Sequence, residues 1–340
     1  MKKIIILIIV IISGSLYFLG NGIDVADITG SVVQDNVQND IHYYIQDEGN
    51  IGVYFCPYQD CEGALVNFIN TAEKSIHCAL FDIGLQSVQE VLDKKEKEID
   101  VKIVTDNDYV HKFTRSFVKK DSWGLMHNKF CIIDGTKVST GSMNPTDNGA
   151  HKNNNNLLLI TSEVITQNYE DEFQEMWDGT FKKGEPVQNP IVRVGNTTIE
   201  TYFCPDDHCA YRVKEELKKA KESIYFMIFS FTHNGIGNIL LLKHLDNITM
   251  QGVMEARQVS EYSEFQRLKY QGVDVVKDGN PNNMHHKVFV IDNKTVITGS
   301  FNPSNNGDKG NDENIMIIHD TEIASLFMKE FERVREESNK

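Results

Sequence analysis

Hydrophobic and polar positions along this chain follow two rhythms. Short, nearly unbroken apolar runs such as SIHCALFDI (75–83) and SIYFMIFSF (223–231) read as buried strands. Between them lie charged stretches with apolar residues every three or four positions, which read as helices. The order is the same twice over. A helix at 62–74 or 210–221 precedes the apolar strand, and a second helix follows at 85–97 or 235–245. Next comes a strand at VKIVTD (101–106) or ITMQGVM (248–254), then a strand carrying His and Lys. A turn marked by Asp-Gly or Asp-Asn leads to KVSTGS or TVITGS, and LLLI or IMII forms a further strand. Helices EVITQNYEDEFQEMW and EIASLFMKEFERVREE close the two halves. This alternation predicts an α/β layered fold with one sheet per half.

The repetition extends to identities. Aligned without gaps, residues 126–160 and 284–318 agree at sixteen of thirty-five positions, from Met126/Met284 through Gly141/Gly299 to Ile160/Ile318. A shared period of this kind marks an internal duplication. Two of the seven prolines fall in KKGEPVQNP (182–190), which places the join there. The expected division is repeat 1 over 51–186 and repeat 2 over 187–340.

Residues 1–21 break the rhythm. Two lysines followed by IIILIIVII read as an uncleaved membrane anchor or as a signal peptide, and either sends the chain out of the cytoplasm, membrane-anchored or secreted. Residues 22–50 are polar and acidic and read as a tether. The formal net charge of −15 gives no general basic surface for holding nucleic acid, so an anionic substrate has to be attracted locally. Export also bears on the six cysteines. Cys56 and Cys61 in FCPYQDC match Cys204 and Cys209 in FCPDDHC, and each pair reads as a local disulfide, with zinc as the competing reading. Cys78 and Cys131, inside apolar strands, read as inert buried thiols.

The duplicated polar residues carry the chemistry. Positions i and i+2 of a strand share a face, so His127 projects with Lys129 and His285 with Lys287. Burying an imidazole beside an ammonium is costly unless an anion receives them. Ser142 and Asn144, and Ser300 and Asn302, follow a glycine that lets the backbone approach a ligand, and together they describe a phosphate cradle. Two such cradles facing each other put one imidazole on each side of a phosphorus, as in-line displacement requires. Asp134 and Asp292 alternate to the opposite face and read as structural anchors. No carboxylate cluster suited to a metal is visible in the chain order, and no cofactor is expected.

These stretches resemble the H-x-K-x4-D motifs of the phospholipase D superfamily, each followed by G-S-x-N, and the resemblance covers roughly residues 51–340. It implies a duplicated phospholipase D-like fold, two mixed sheets flanked by helices with the active site between the halves. It also implies a phosphohistidine intermediate and metal-independent phosphodiester cleavage. Two motifs in one chain remove the need for a dimer, so a monomer is expected. In the family a carboxylate downstream of each G-S-x-N commonly bonds the catalytic His. Here Glu313 stands 28 residues after His285, while Asn155 holds that offset from His127. The expectation is therefore that His127 is the nucleophile and that His285, supported by Glu313, is the acid and base. Phospholipid headgroups and nucleic acid are the rival substrates; an inactive scaffold with the same fold is the reading of another class.

Overall fold

A computed structural model describes residues 31–37, 40–122 and 124–338, with side chains from residue 44 onward. The anchor or signal reading of residues 1–21 lies outside the described residues. Among the described residues no helix is long and apolar enough to cross a membrane.

The two repeats build the same sheet. In repeat 1 the strands lie side by side in the order Asn50–Cys56, Asn155–Thr161, Lys137–Gly141, Lys129–Ile133, Ser75–Leu80, Asp100–Thr105 and Val118–Lys120. Repeat 2 repeats that order with Thr197–Cys204, Asn311–His319, Thr295–Gly299, Lys287–Ile291, Ser223–Ile228, Thr249–Met254 and Asp274–Lys277. Each sheet is mixed: Ser75–Leu80 runs parallel to Asp100–Thr105 but antiparallel to Lys129–Ile133. The short strands Val118–Lys120 and Asp274–Lys277 carried too few apolar residues to be predicted.

The second sheet is extended beyond its Thr197 edge by Ile191–Val194, Asp40–Asp47 and Ser31–Val37. Over residues 31–37 and 40–50 this corrects the tether reading of 22–50, whose first part lies outside the described residues. Asp40–Asp47 pairs parallel with Ile191–Val194, Ile45 opposite Val192, and Tyr44 and Ile45 are buried. The acidic flanks of this stretch masked a strand whose backbone completes an otherwise open sheet edge.

Helices Glu163–Trp177 and Thr321–Glu337 lie between the two sheets, capped by Ser162 and Asp320 side chains that accept amide hydrogens of their first turns. Tyr169 and Phe173 from the first helix and Phe327 and Phe331 from the second join Phe130, Ile132, Val288 and Val290 in a core shared by both repeats. Separate apolar clusters pack the outer helices of each repeat. The central layer is thus common to both repeats, which are not independent globules.

Disulfides Cys56–Cys61 and Cys204–Cys209 form at matching positions. The reading of Cys78 and Cys131 as thiols is corrected. They face each other on antiparallel strands with Cα atoms 4.1 Å apart, and they form a third disulfide.

Candidate active site

The His residues lie two positions before the regular strands, which begin at Lys129 and Lys287. Their extended lead-ins are held by the opposite repeat. Leu125–Met126 pairs with Asn311–Asp312, and the His127 amide donates to the Asp312 carbonyl at 2.9 Å. Asn154 bridges to Met284, and the His285 amide donates to the Asn154 carbonyl at 2.9 Å. Each catalytic candidate is therefore positioned by backbone of the other half. His127 is 6% exposed and His285 8%, so both imidazoles are buried between the repeats.

This crossing decides which group supports which imidazole. Nδ1 of His127 lies 2.7 Å from Glu313 Oε2, and the Ser300 carbonyl accepts from the same ring. Nδ1 of His285 lies 2.9 Å from Asn155 Oδ1 and 3.1 Å from the Ser142 carbonyl. Glu313 thus supports His127, and the pairing expected within one repeat is corrected to a pairing across the interface. Sequence offset could not show this, since a carboxylate 28 residues downstream is equally compatible with a neighbour in the other sheet. Acceptors at Nδ1 fix the tautomer and turn Nε2 of both rings toward the cleft.

The serines are also reassigned. Ser142 and Ser300 are fully buried. Ser142 Oγ donates to Asn155 Oδ1 at 2.9 Å, and Ser300 bonds the Glu313 carboxylate. Each hydroxyl also accepts the next strand's amide, from Asn156 at 3.0 Å and from Asn314 at 2.9 Å. They lock the groups that orient the imidazoles and are not free to cradle phosphate. The preceding glycines are required: a Cβ on Gly141 would meet the Asn156 carbonyl at 2.5 Å, and one on Gly299 the Asn314 carbonyl at 2.3 Å. Asn144 and Asn302 are half-buried, and each keeps a buried amide oxygen without a partner; it is their NH2 groups that can donate to an anion. Asp134 accepts the amides of Glu73, Lys74 and Ser75, and Asp292 those of Lys221, Glu222 and Ser223. Burial opposes ionisation of both, yet these backbone donors hold both carboxyls below the usual range. Both stand far along their strands from the cleft.

Lys129 and Lys287 turn back so that Nζ donates to the carbonyl of its own His, the second at 2.7 Å. Each ammonium lies over an aromatic ring, Phe81 at 5.1 Å and Phe229 at 4.9 Å, and the same rings meet the His edges at 5.0 and 4.7 Å. Nothing in the sequence pattern marks these phenylalanines, which read only as ends of apolar strands. Burial pushes Lys129 down to about 7. Burial and the neighbouring Lys129 drive Lys287 well below its usual range. Burial, reinforced by both ammonium groups, keeps the two imidazoles neutral. Burial raises Glu313 to about 7. Two lysines driven toward neutrality by burial and by one another regain their charge when an anion enters between them, which suits the site to an anionic ligand.

Two equivalent sheets, a shared core and paired His-Lys units facing across the interface define a duplicated α/β phosphodiesterase architecture. A family model described as cardiolipin synthase, phospholipase D-like domain matches residues 65–177 and 213–335, one match in each repeat. The chain belongs to the phospholipase D superfamily and is an enzyme of its phosphodiesterase class. A phospholipase D of Rickettsia conorii is 30% identical over 140 residues, which cover 41% of this chain and 70% of that protein. A mitochondrial cardiolipin hydrolase of Homo sapiens is 31% identical over 129 residues, 38% of this chain and 51% of that one. The phosphatidylserine synthase of Haemophilus influenzae shares the fold, with a TM-score of 0.63 at 11% identity over 83% of this chain and 85% of that one.

Proposed function

We propose that this enzyme hydrolyses phosphodiesters in two in-line steps through a phosphohistidine on His127, without a metal in the reaction. The observation that carries this reading is the unequal support of the two rings, carboxylate behind His127 and amide behind His285. Phosphorylation of Nε2 makes the His127 ring cationic, and Glu313 beside Nδ1 stabilises that charge. A proton on His285, held by a neutral amide, is given up readily to a leaving oxygen.

In the first step His285, which gains a proton on Nε2 when the anionic substrate binds, gives that proton to the leaving oxygen as the Nε2 lone pair of His127 attacks phosphorus and the bond to the leaving oxygen breaks. Lys129, Lys287, Asn144 and Asn302 hold the non-bridging oxygens, and a bound phosphate returns the lysines to their charged form. In the second step His285 takes a proton from water, the water oxygen bonds to phosphorus, and the phosphorus–nitrogen bond breaks. His127 is thus retained as nucleophile, for a reason opposite to the one its sequence position suggested.

Phospholipid headgroups are the favoured substrate. Relatives carry the names phospholipase D and cardiolipin hydrolase, and a net charge of −15 disfavours broad contact with nucleic acid. Three disulfides and the apolar N-terminus support work outside the cytoplasm, tethered or secreted. A nuclease is the second reading, because TGSFNPSNNG followed by NDEN resembles small secreted endonucleases of the superfamily. The test is turnover of an aryl phosphodiester in EDTA, then of phosphatidylcholine vesicles against single-stranded DNA. Turnover that survives chelation and is absent in His127→Ala supports the mechanism. Mapping of the acid-labile, alkali-stable label to His285 would sink the assignment, and cleavage of DNA alone would select the second reading.

A further inference from the structure

The outer face of the second sheet carries ionisable groups that the reaction does not use. Glu200 on strand Thr197–Cys204, Glu216 on helix Cys209–Lys219 and His319 at the end of strand Asn311–His319 bring one ligand atom each within 4.8 Å of one another. From these we infer a structural transition-metal site, with Zn2+ as the fitting ion.

The donors are already aimed. Thr295 Oγ1 holds His319 Nδ1 at 3.0 Å, which leaves Nε2 facing Glu200 Oε1 at 2.9 Å. Metal-binding histidines are oriented by such a bond at the other ring nitrogen. Tyr202 donates its hydroxyl to the second oxygen of Glu200 at 2.7 Å. Glu216 is buried, and its companion cation Lys219 is exposed at the helix end, where the flexible side chain can swing away.

The duplication supplies the control. At the corresponding positions repeat 1 carries Gly52, Phe68 and Thr161, and Phe68 packs in that repeat's outer apolar core. Repeat 2 has therefore exchanged an ordinary helix-to-sheet contact for two carboxylates and an imidazole. Without an ion Lys219 neutralises Glu216 while His319 and Tyr202 bond Glu200, and a divalent cation would take the lysine's place among the three donors. One nitrogen and two carboxylate oxygens suit Zn2+, with water completing four-coordination, and disfavour Ca2+, which takes oxygen ligands. Ligands about 2 Å from a common ion lie about 3–4 Å apart, so a small rotation of Glu216 closes the site. His319 stands six residues beyond Glu313 on one strand, about 20 Å away. The ion would clamp helix to sheet and take no part in phosphoryl transfer.

The test uses EDTA-dialysed full-length protein titrated with Zn2+ by calorimetry, with the melting temperature followed in parallel. Expected is uptake of one equivalent with a higher melting temperature. In His319→Ala and Glu216→Gln the affinity should fall roughly 10–100-fold. Thr295→Val keeps all three ligands, protects the test against misfolding of the others, and should weaken binding by about tenfold. Absence of uptake, or uptake unchanged in all three variants, overturns the site. Neither result bears on the reaction, because the readouts are stoichiometry and stability while aryl phosphodiester turnover in EDTA is scored separately.

Discussion

Behind each His-Lys strand the two repeats place different partners at the same point of the same pairing. In repeat 1 Cys78 faces Cys131 and they are joined; in repeat 2 Phe226 faces Phe289, with ring centroids 6.1 Å apart. The neighbours have adjusted. Ile103 stands beside Cys78, whereas Gly252 stands beside Phe226, and a Cβ there would meet the ring at 2.1 Å. One sheet is held by closing a covalent loop over a sequence separation of 53, the other by aromatic area. Both solutions support a strand that must present His and Lys rigidly, and what the duplication preserved is the frame and not the contacts inside it.

The same contrast runs through the catalytic groups, and the largest expected effect tests it there. His127→Ala should lower kcat by on the order of 10^5-fold, since no other group can take its place as nucleophile. His285→Asn should cost about 10^2 to 10^4-fold toward alkyl leaving groups and much less toward an aryl one, which needs no acid. Rapid-quench labelling of that variant should find phosphate accumulating on His127.

Stability experiments sharpen the structural half of the comparison. Phe226→Ala should destabilise by about 3–5 kcal/mol, and Cys78→Ser with Cys131→Ser by up to about 4 kcal/mol in the chain-entropy estimate, both read by urea denaturation. Transplanting Phe into both Cys positions should fail to fold unless Ile103→Gly is added to clear the ring.

A smaller effect concerns pH. Glu313 is ionised only above about 7 and Lys129 is charged only below about 7, so kcat/KM should rise as Glu313 loses its proton and fall as Lys129 loses its own. The profile is a bell with its maximum near neutrality. Glu313→Gln should remove the acid limb and lower the maximum by about 10^2-fold. The smallest change is expected of Asn155→Asp, which makes the two rings equivalent. A few-fold loss of kcat is expected, with slower release of the His285 proton read as a larger solvent isotope effect.

The hydrophobic runs and the duplication were sufficient to read the α/β order, the two sheets and the His127–Lys129 and His285–Lys287 units that the structure brings together. What escaped was information that only the third dimension holds. The Glu313–His127 contact joins residues 186 apart across the interface, and nothing in an offset of 28 distinguishes it from a contact within the repeat. Ser142 and Ser300 looked like ligands because a hydroxyl after glycine is as able to bond a side chain as a phosphate. Cys78 and Cys131 needed the strand register, and Glu200, Glu216 and His319 come from three separate elements. Residues 40–47 were too polar at their flanks to announce a strand.

The exchanged lead-ins of His127 and His285 have an implication for the repeats as separate polypeptides. A free copy of repeat 1 pairing with itself would set Asn155 against both rings and have no carboxylate in the cleft. A self-paired repeat 2 would bring two Glu313 side chains, one behind each imidazole. Fusion therefore ended the obligation of each repeat to serve as its own complement, and co-expressed fragments should regain turnover only in the mixed pair that restores one acid and one amide.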